Sequence, residues 1–216
     1  MKPSDKRWPL LAALVLAATL VGCATPGTAP TPRADEPSGE VFGGDEGATV
    51  ESRYAEALDL MRSNQFADAQ AAFEGLVADA PEASGPLTNL GILHLRAKRL
   101  PEARSALLRA VAINPRNAVA WNELGRAERE LNSPAAARDA YRKAIEIDDS
   151  LAEAHLNLGL VLDQPLRDTD GALQHYRRYM ALSGNSDLRV LVWIAELEQA
   201  TAAAANTTPT PQAGTR

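Results

Sequence analysis

The middle of this chain lines up with itself at an offset of 34 residues, and few folds tolerate such a repeat. Laying 84–117 over 118–151 puts Leu90-Gly91 on Leu124-Gly125, Ala103 on Ala137, Leu107 on Tyr141 and Ala110 on Ala144, with no gap. The window 50–83 fits the same frame through Ala57, Ala69, Phe73, Leu76 and Pro81, with Glu56-Ala57 in place of Leu-Gly. A fourth window, 152–185, starts in register at Leu158-Gly159 and needs one extra residue before Ala172 and Tyr176, which the loop at 163–170 absorbs. A fixed period of this length describes a stack of like units, each touching only its neighbours.

Each unit reads as a helical hairpin. Apolar residues fall at window positions 4, 7, 8 and 11, then at 20, 24 and 27, the spacing of two buried helix faces. Alanine and leucine dominate this region and aromatics are 5% of the chain, which favours helix over a sheet rich in β-branched residues. Glycine or alanine at position 8 and alanine at position 20 let the two backbones approach closely. Ser133-Pro134 supplies an N-cap followed by proline at the first helical position, and Pro101 marks the same place one unit earlier. A single hairpin cannot cover its apolar face, so at least three must stack. The stretch 186–200, with Leu188, Leu191, Val192, Ile194, Ala195 and Leu197 on one stripe, is expected to close the stack as a capping helix, with Trp193 at its seam with the last unit.

Trp121-Asn122-Glu123-Leu124-Gly125, followed by the alanines and aromatics above and stopped at places such as Asn114-Pro115, resembles the tetratricopeptide repeat family. The resemblance implies an all-α, right-handed superhelical stack of about four helix-turn-helix repeats (50–83, 84–117, 118–151 and 152–185) within a domain at 50–200. It also implies a concave surface built from the first helix of each repeat. On this chain that surface holds Tyr54, Leu58, Met61 and Arg62, then Thr88, Asn89, Ile92, Leu95 and Arg96, then Asn122, Glu123, Arg126 and Arg129, then Leu156, Asn157 and Leu160. Asn89 and Asn157 match an asparagine that in many family members bonds the backbone of a bound peptide, and Glu123 interrupts that ladder. An apolar end beside a basic middle suits an acidic, partly apolar protein segment. The cationic clamp of chaperone-tail binders is missing, since Val119, Glu123 and Glu153 stand where it needs cations or asparagine.

The ends of the chain carry a different message. Lys2, Lys6 and Arg7 precede an apolar run from Trp8 to Val21, too short to span a bilayer, so 1–22 reads as a signal peptide. Leu20-Val21-Gly22-Cys23 resembles the lipobox of bacterial lipoproteins, which implies acylation of Cys23 and cleavage before it. Cleavage would remove three basic residues and one acidic residue, taking the formal charge from −6 to −8. Ala24 after the cysteine, where an aspartate often marks inner-membrane retention, points to the outer membrane and its periplasmic face. The segment 23–49, rich in proline and glycine, reads as the lipidated cysteine and a disordered tether, and 201–216 as a disordered tail.

Composition and motifs narrow the function. Net charge −6 and pI near 5.2 argue against nucleic-acid partners. One cysteine rules out an internal disulfide and a thiolate metal cluster. His94 and His155 sit at packing positions, His175 has no second ligand at metal-binding spacing, and no phosphate loop or nucleophile motif is present. The expectation is a non-enzymatic envelope scaffold without metal or cofactor, anchored by lipid and binding a protein segment in its groove. The alternative is a receptor or accessory subunit of a cell-wall or envelope enzyme complex.

Overall fold

The computed structural model describes residues 49–207, with side chains through 204. The expected signal peptide, Cys23, nearly all of the tether and residues 208–216 lie outside the described residues. The described chain is helical: α1 (Val50–Arg62), α2 (Phe66–Asp79), α3 (Ser84–Arg96), α4 (Leu100–Ile113), α5 (Ala118–Glu130), α6 (Pro134–Ile147), α7 (Ala152–Asp163), α8 (Thr169–Leu182) and α9 (Leu188–Thr207). Each sequence window therefore holds one pair. Partners within a pair pack most extensively, each second helix meets the next first helix, and α3, α5 and α7 also touch one another directly.

The turn inside each pair has a fixed backbone. Asn64, Lys98, Asn132 and Arg167 all adopt positive φ, from 54° to 60°, and they recur at the repeat offset, with the extra residue of the fourth window before Arg167. In the first three turns the following amide reaches back to close the helix end: Gln65 N donates to Leu60 O, Arg99 N to His94 O and Ser133 N to Glu128 O, each at 2.9 Å. This is the Schellman closure, which needs a left-handed residue; asparagine adopts it more readily than lysine or arginine. Thr49, Asn117 and Asp168 cap α1, α5 and α8 through side-chain oxygens. Ser133 stands at the N-cap of α6 without making a side-chain cap bond, while Pro134 takes the first helical position and Pro101 the second position of α4.

The close approach expected at position 8 is real. A Cβ built on Gly91 would lie 2.4 Å from Leu107 Cγ, and one on Gly125 or Gly159 would lie 2.5 Å from the ring of Tyr141 or Tyr176. The first repeat uses Ala57 there, packed in a cluster with Ala69, Phe73 and Leu76. The small residues of the first helices thus seat the large ones of the second.

The last helix departs from expectation in two ways. It begins at Leu188 and runs to Thr207, because the alanines at 202–205, the best helix formers, carry the helix through Thr201 into the tail assigned there. Its inward side is Val190, Trp193, Ile194 and Leu197, which pack with Tyr176 and Met180. Leu188, Leu191 and Val192, placed on the covered stripe by sequence, are instead 74%, 42% and 54% exposed. The helix carries apolar residues on more than one side, and the side bearing the indole is the one that packs on the last repeat. No described helix is long and apolar enough to cross a membrane.

Candidate partner-binding groove

The first helices set the groove by a shared frame. Pro86, Ala120 and Ala154 hold the same place on α3, α5 and α7 and are buried against the stack. Residues three and six positions later, Asn89 and Ile92, Glu123 and Arg126, Asn157 and Leu160, then line one side of the row.

Much of this row ties repeat to repeat. Asn89 Nδ2 donates to Tyr54 Oη at 2.8 Å and to Gly85 O at 3.1 Å, so both of its amide protons are engaged within the chain. Asn157 Nδ2 donates to Asn122 Oδ1 at 3.1 Å, and Asn122 Nδ2 donates to Glu123 Oε1 at 3.0 Å. Asn122 and Glu123 are buried, at 4% and 7% exposure, and so offer no open surface. The asparagines that sequence assigned to a peptide backbone are thus inter-repeat links. In the third repeat Glu123 continues the network, paired with Arg126. Burial raises the Glu123 carboxyl above the ordinary carboxylate range, against the opposing pull of Arg126.

The arginines differ from one another more than their spacing suggests. Arg62 pairs with Asp59 on its own helix, and Arg126 faces the buried Glu123. Arg129 stands beside the buried Tyr141 hydroxyl, which lacks a hydrogen-bond partner of good geometry and which burial holds up at about 12. Arg96 alone of the four stacks on an aromatic ring, its guanidinium 3.8 Å from the centroid of Phe66, and no carboxylate among the described residues pairs with it. Around it, Met61, Phe66, Ile92, Leu95 and Arg126 line a hollow of about 440 Å³, whose one carboxylate, Glu130, is paired with Lys98 on the same wall. Tyr54 and Leu58 are half-buried at the head of the row, with the Tyr54 ring edge-on to Phe73 at 5.8 Å. The structure therefore brings Ile92, Arg96 and Arg126 together, engages Asn89, Asn122 and Asn157 within the protein, and leaves Arg129 exposed.

The histidines hold their packing roles. His155 is 3% exposed, with Nδ1 3.1 Å from His175 Nδ1 and Nε2 3.1 Å from Asp149 O. Burial, then the His155 ring and Arg142, push His175 down to about 4. His94 is also lowered, by burial and then Arg99. Among the described residues no group of three or more histidine, cysteine, aspartate or glutamate side chains could hold a metal ion.

At the far end, sequence reading missed a second concavity of about 290 Å³ between α7 and α9, lined by Leu160, Asp163, Gln164, Tyr176, Trp193, Glu196 and Leu197. The repeat frame continued beyond 185 reaches Leu188, or Arg189 with the extra residue of the fourth window, so it does not single out Val190; Val190 matches Ala154 only as the third residue of its helix.

Comparison with known proteins agrees with this architecture. The tetratricopeptide repeat family model matches residues 54–118 and 88–152. A crystal structure of MamA is similar at 22% identity and TM-score 0.61, over 71% of this chain and 82% of that one. A thermophilic tetratricopeptide repeat protein of Thermus thermophilus is similar at 22% identity and TM-score 0.60, over 72% and 84%. The first repeat region of Spaghetti, bound to an HSP90 peptide, is similar at 19% identity and TM-score 0.52, over 55% and 93%. Comparison with curated proteins gives no match. Residues 54–152 carry tetratricopeptide repeats, and the stacked helix-turn-helix fold around them is that of the tetratricopeptide repeat proteins.

Proposed function

We propose that this chain is a lipid-anchored scaffold of the bacterial cell envelope that holds an acidic, partly apolar segment of a partner protein in its concave groove. The observation that carries the reading is the hollow where Met61 and Ile92 lie beside Arg96, a cation already stripped of part of its water by Phe66 and unmet by any carboxylate among the described residues. A carboxylate from a partner gains a charge-assisted bond there while its apolar neighbours cover Ile92. The Spaghetti structure holds a short peptide, SRMEEVD, which supports a peptide segment as the occupant, while the chaperone-tail clamp is missing from this chain.

The anchor rests on sequence. Leu20-Val21-Gly22-Cys23 ends an apolar run of signal-peptide length, and two or more acyl chains on one residue hold a protein stably at a membrane where one does not. With Ala24 next, the outer membrane facing the periplasm is the destination proposed.

Two experiments test the parts separately. Cys23→Ala should abolish labelled-palmitate incorporation, and a wild-type chain that takes up no palmitate refutes the anchor. Arg96→Glu should cut recovery of the crosslinked partner from membranes with an unchanged circular dichroism spectrum, and equal recovery refutes the groove. Arg126 is the wrong residue to reverse, because a glutamate there would face the buried Glu123 carboxyl and disturb the stack itself.

A further inference from the structure

The concave row does not end with the fourth repeat. Val190, with no exposure, takes on α9 the place that Pro86, Ala120 and Ala154 take on the earlier first helices. Three residues on, Trp193 stands where Asn89, Glu123 and Asn157 stand; six on, Glu196 stands where Ile92, Arg126 and Leu160 stand. Helix α9 is in this sense a fifth first helix, and the cleft between it and α7 extends the groove.

This cleft has the opposite chemistry to the hollow at Arg96. Its apolar wall is Leu160, Leu197 and the half-buried indole of Trp193, held 5.7 Å from the Tyr176 ring. Its charged members are two carboxylates, Asp163 and Glu196, with no cation lining the space. Asp163 accepts only the Tyr176 hydroxyl, at 3.3 Å. The nearby arginines are committed outside the cleft, Arg177 to Glu198 and Arg178 to Asp149. On α5, by contrast, Glu123, Glu128 and Glu130 are matched by Arg126, Arg104 and Lys98. Burial, and after it the neighbouring Asp163, raise the Tyr176 hydroxyl above its ordinary range.

An indole face flanked by two unmatched carboxylates fits a planar cation. A guanidinium stacks on the ring and presents several donors to carboxylates, whereas an ammonium offers one compact charge. The geometry points to the α7–α9 cleft as a subsite for an arginine side chain of the partner segment, an assignment that rests on the groove reading for the segment itself. Packed helices lie 8–10 Å apart, so Arg96 on α3 and Trp193 on α9, three steps along the row, are separated by about 24–30 Å, or about eight extended residues. The bound segment then has a polarity, with its carboxylate at α3 and its arginine at α9.

The test uses the full chain labelled with ¹⁵N at its tryptophan indoles, the Trp193 resonance being the one lost in Trp193→Phe. The probe is acetyl-Leu-Arg-Leu-amide, with citrulline replacing arginine as the uncharged isostere. The Trp193 indole should shift saturably with the arginine peptide, at least tenfold more tightly than with the citrulline peptide, while the Trp121 indole stays in place. Asp163→Asn with Glu196→Gln should erase that preference without changing the circular dichroism spectrum. A Trp193 resonance that does not move, that moves equally for both peptides, or that keeps its preference in the double variant overturns the subsite. Arg96→Glu should leave this response intact, so failure of the acidic-segment reading at Arg96 is read separately.

Discussion

Gly125→Ala adds one methyl group, and two effects of opposite sign compete over it. In an open helix, alanine is favoured over glycine by about 0.8–1.0 kcal/mol. Here the new Cβ would lie 2.5, 2.6 and 2.8 Å from Cε1, Cδ1 and Cζ of Tyr141, well inside ordinary contact. That ring has no exposure and is packed among Leu158, Val161 and Ala137, so it must retreat by about 1 Å into filled space. Overpacking of this kind costs about 1–3 kcal/mol, and after the helix gain the net should be a loss of up to about 2 kcal/mol. Urea unfolding followed by far-ultraviolet circular dichroism measures it. Ala57→Gly, at the same frame position in the first repeat, should also destabilise, by about 1 kcal/mol, because the alanine there is already accommodated. If Gly125→Ala raises stability, helix propensity outweighs packing and the close approach of α5 and α6 does not limit the repeat.

Two further outcomes follow from the turns and the histidine pair. Lys98 pays for a left-handed backbone that asparagine holds in two sibling turns, so Lys98→Asn should stabilise by about 0.5–1 kcal/mol in the same urea assay; its exposed ion pair with Glu130 is too weak to reverse the sign, and a destabilised variant would show otherwise. His175 is depressed from 6.5 to about 4, so the folded state binds fewer protons than the unfolded chain; its contribution is complete above pH 6.5 and is lost as pH falls toward 4. Between pH 7 and 4.5 the wild type should lose on the order of 2 kcal/mol more than His175→Gln, and parallel curves would refute the burial argument.

The repeat period placed every helix pair within its window, and position 8 marked where the two helices of a pair come close, because both depend on spacing along one helix; that side chains of Leu107, Tyr141 and Tyr176 fill those places was not legible in it. What spacing cannot report is which partner a polar group finds across the stack. Asn89 and Asn157 lie on the predicted row, yet their amides bond Tyr54 and Asn122 one repeat earlier. Arg62, Arg96, Arg126 and Arg129 were equivalent in sequence, and they separate only once Asp59, Phe66, Glu123 and Tyr141 are placed around them. On α9 the expected stripe was right at Ile194 and Leu197, with Trp193 at the seam, and wrong at Leu188, Leu191 and Val192, because the helix turns Val190 inward instead. The choice of Val190 and Trp193 opened the cleft that the sequence reading lacked.

The most direct test of the groove is photocrosslinking in living cells, with benzoylphenylalanine placed at Ile92 on the concave row or at Leu108, which is 44% exposed on α4. The account predicts a discrete protein adduct from position 92, absent from position 108 and lost when Arg96→Glu is added. An adduct from position 108 with none from position 92 would contradict it.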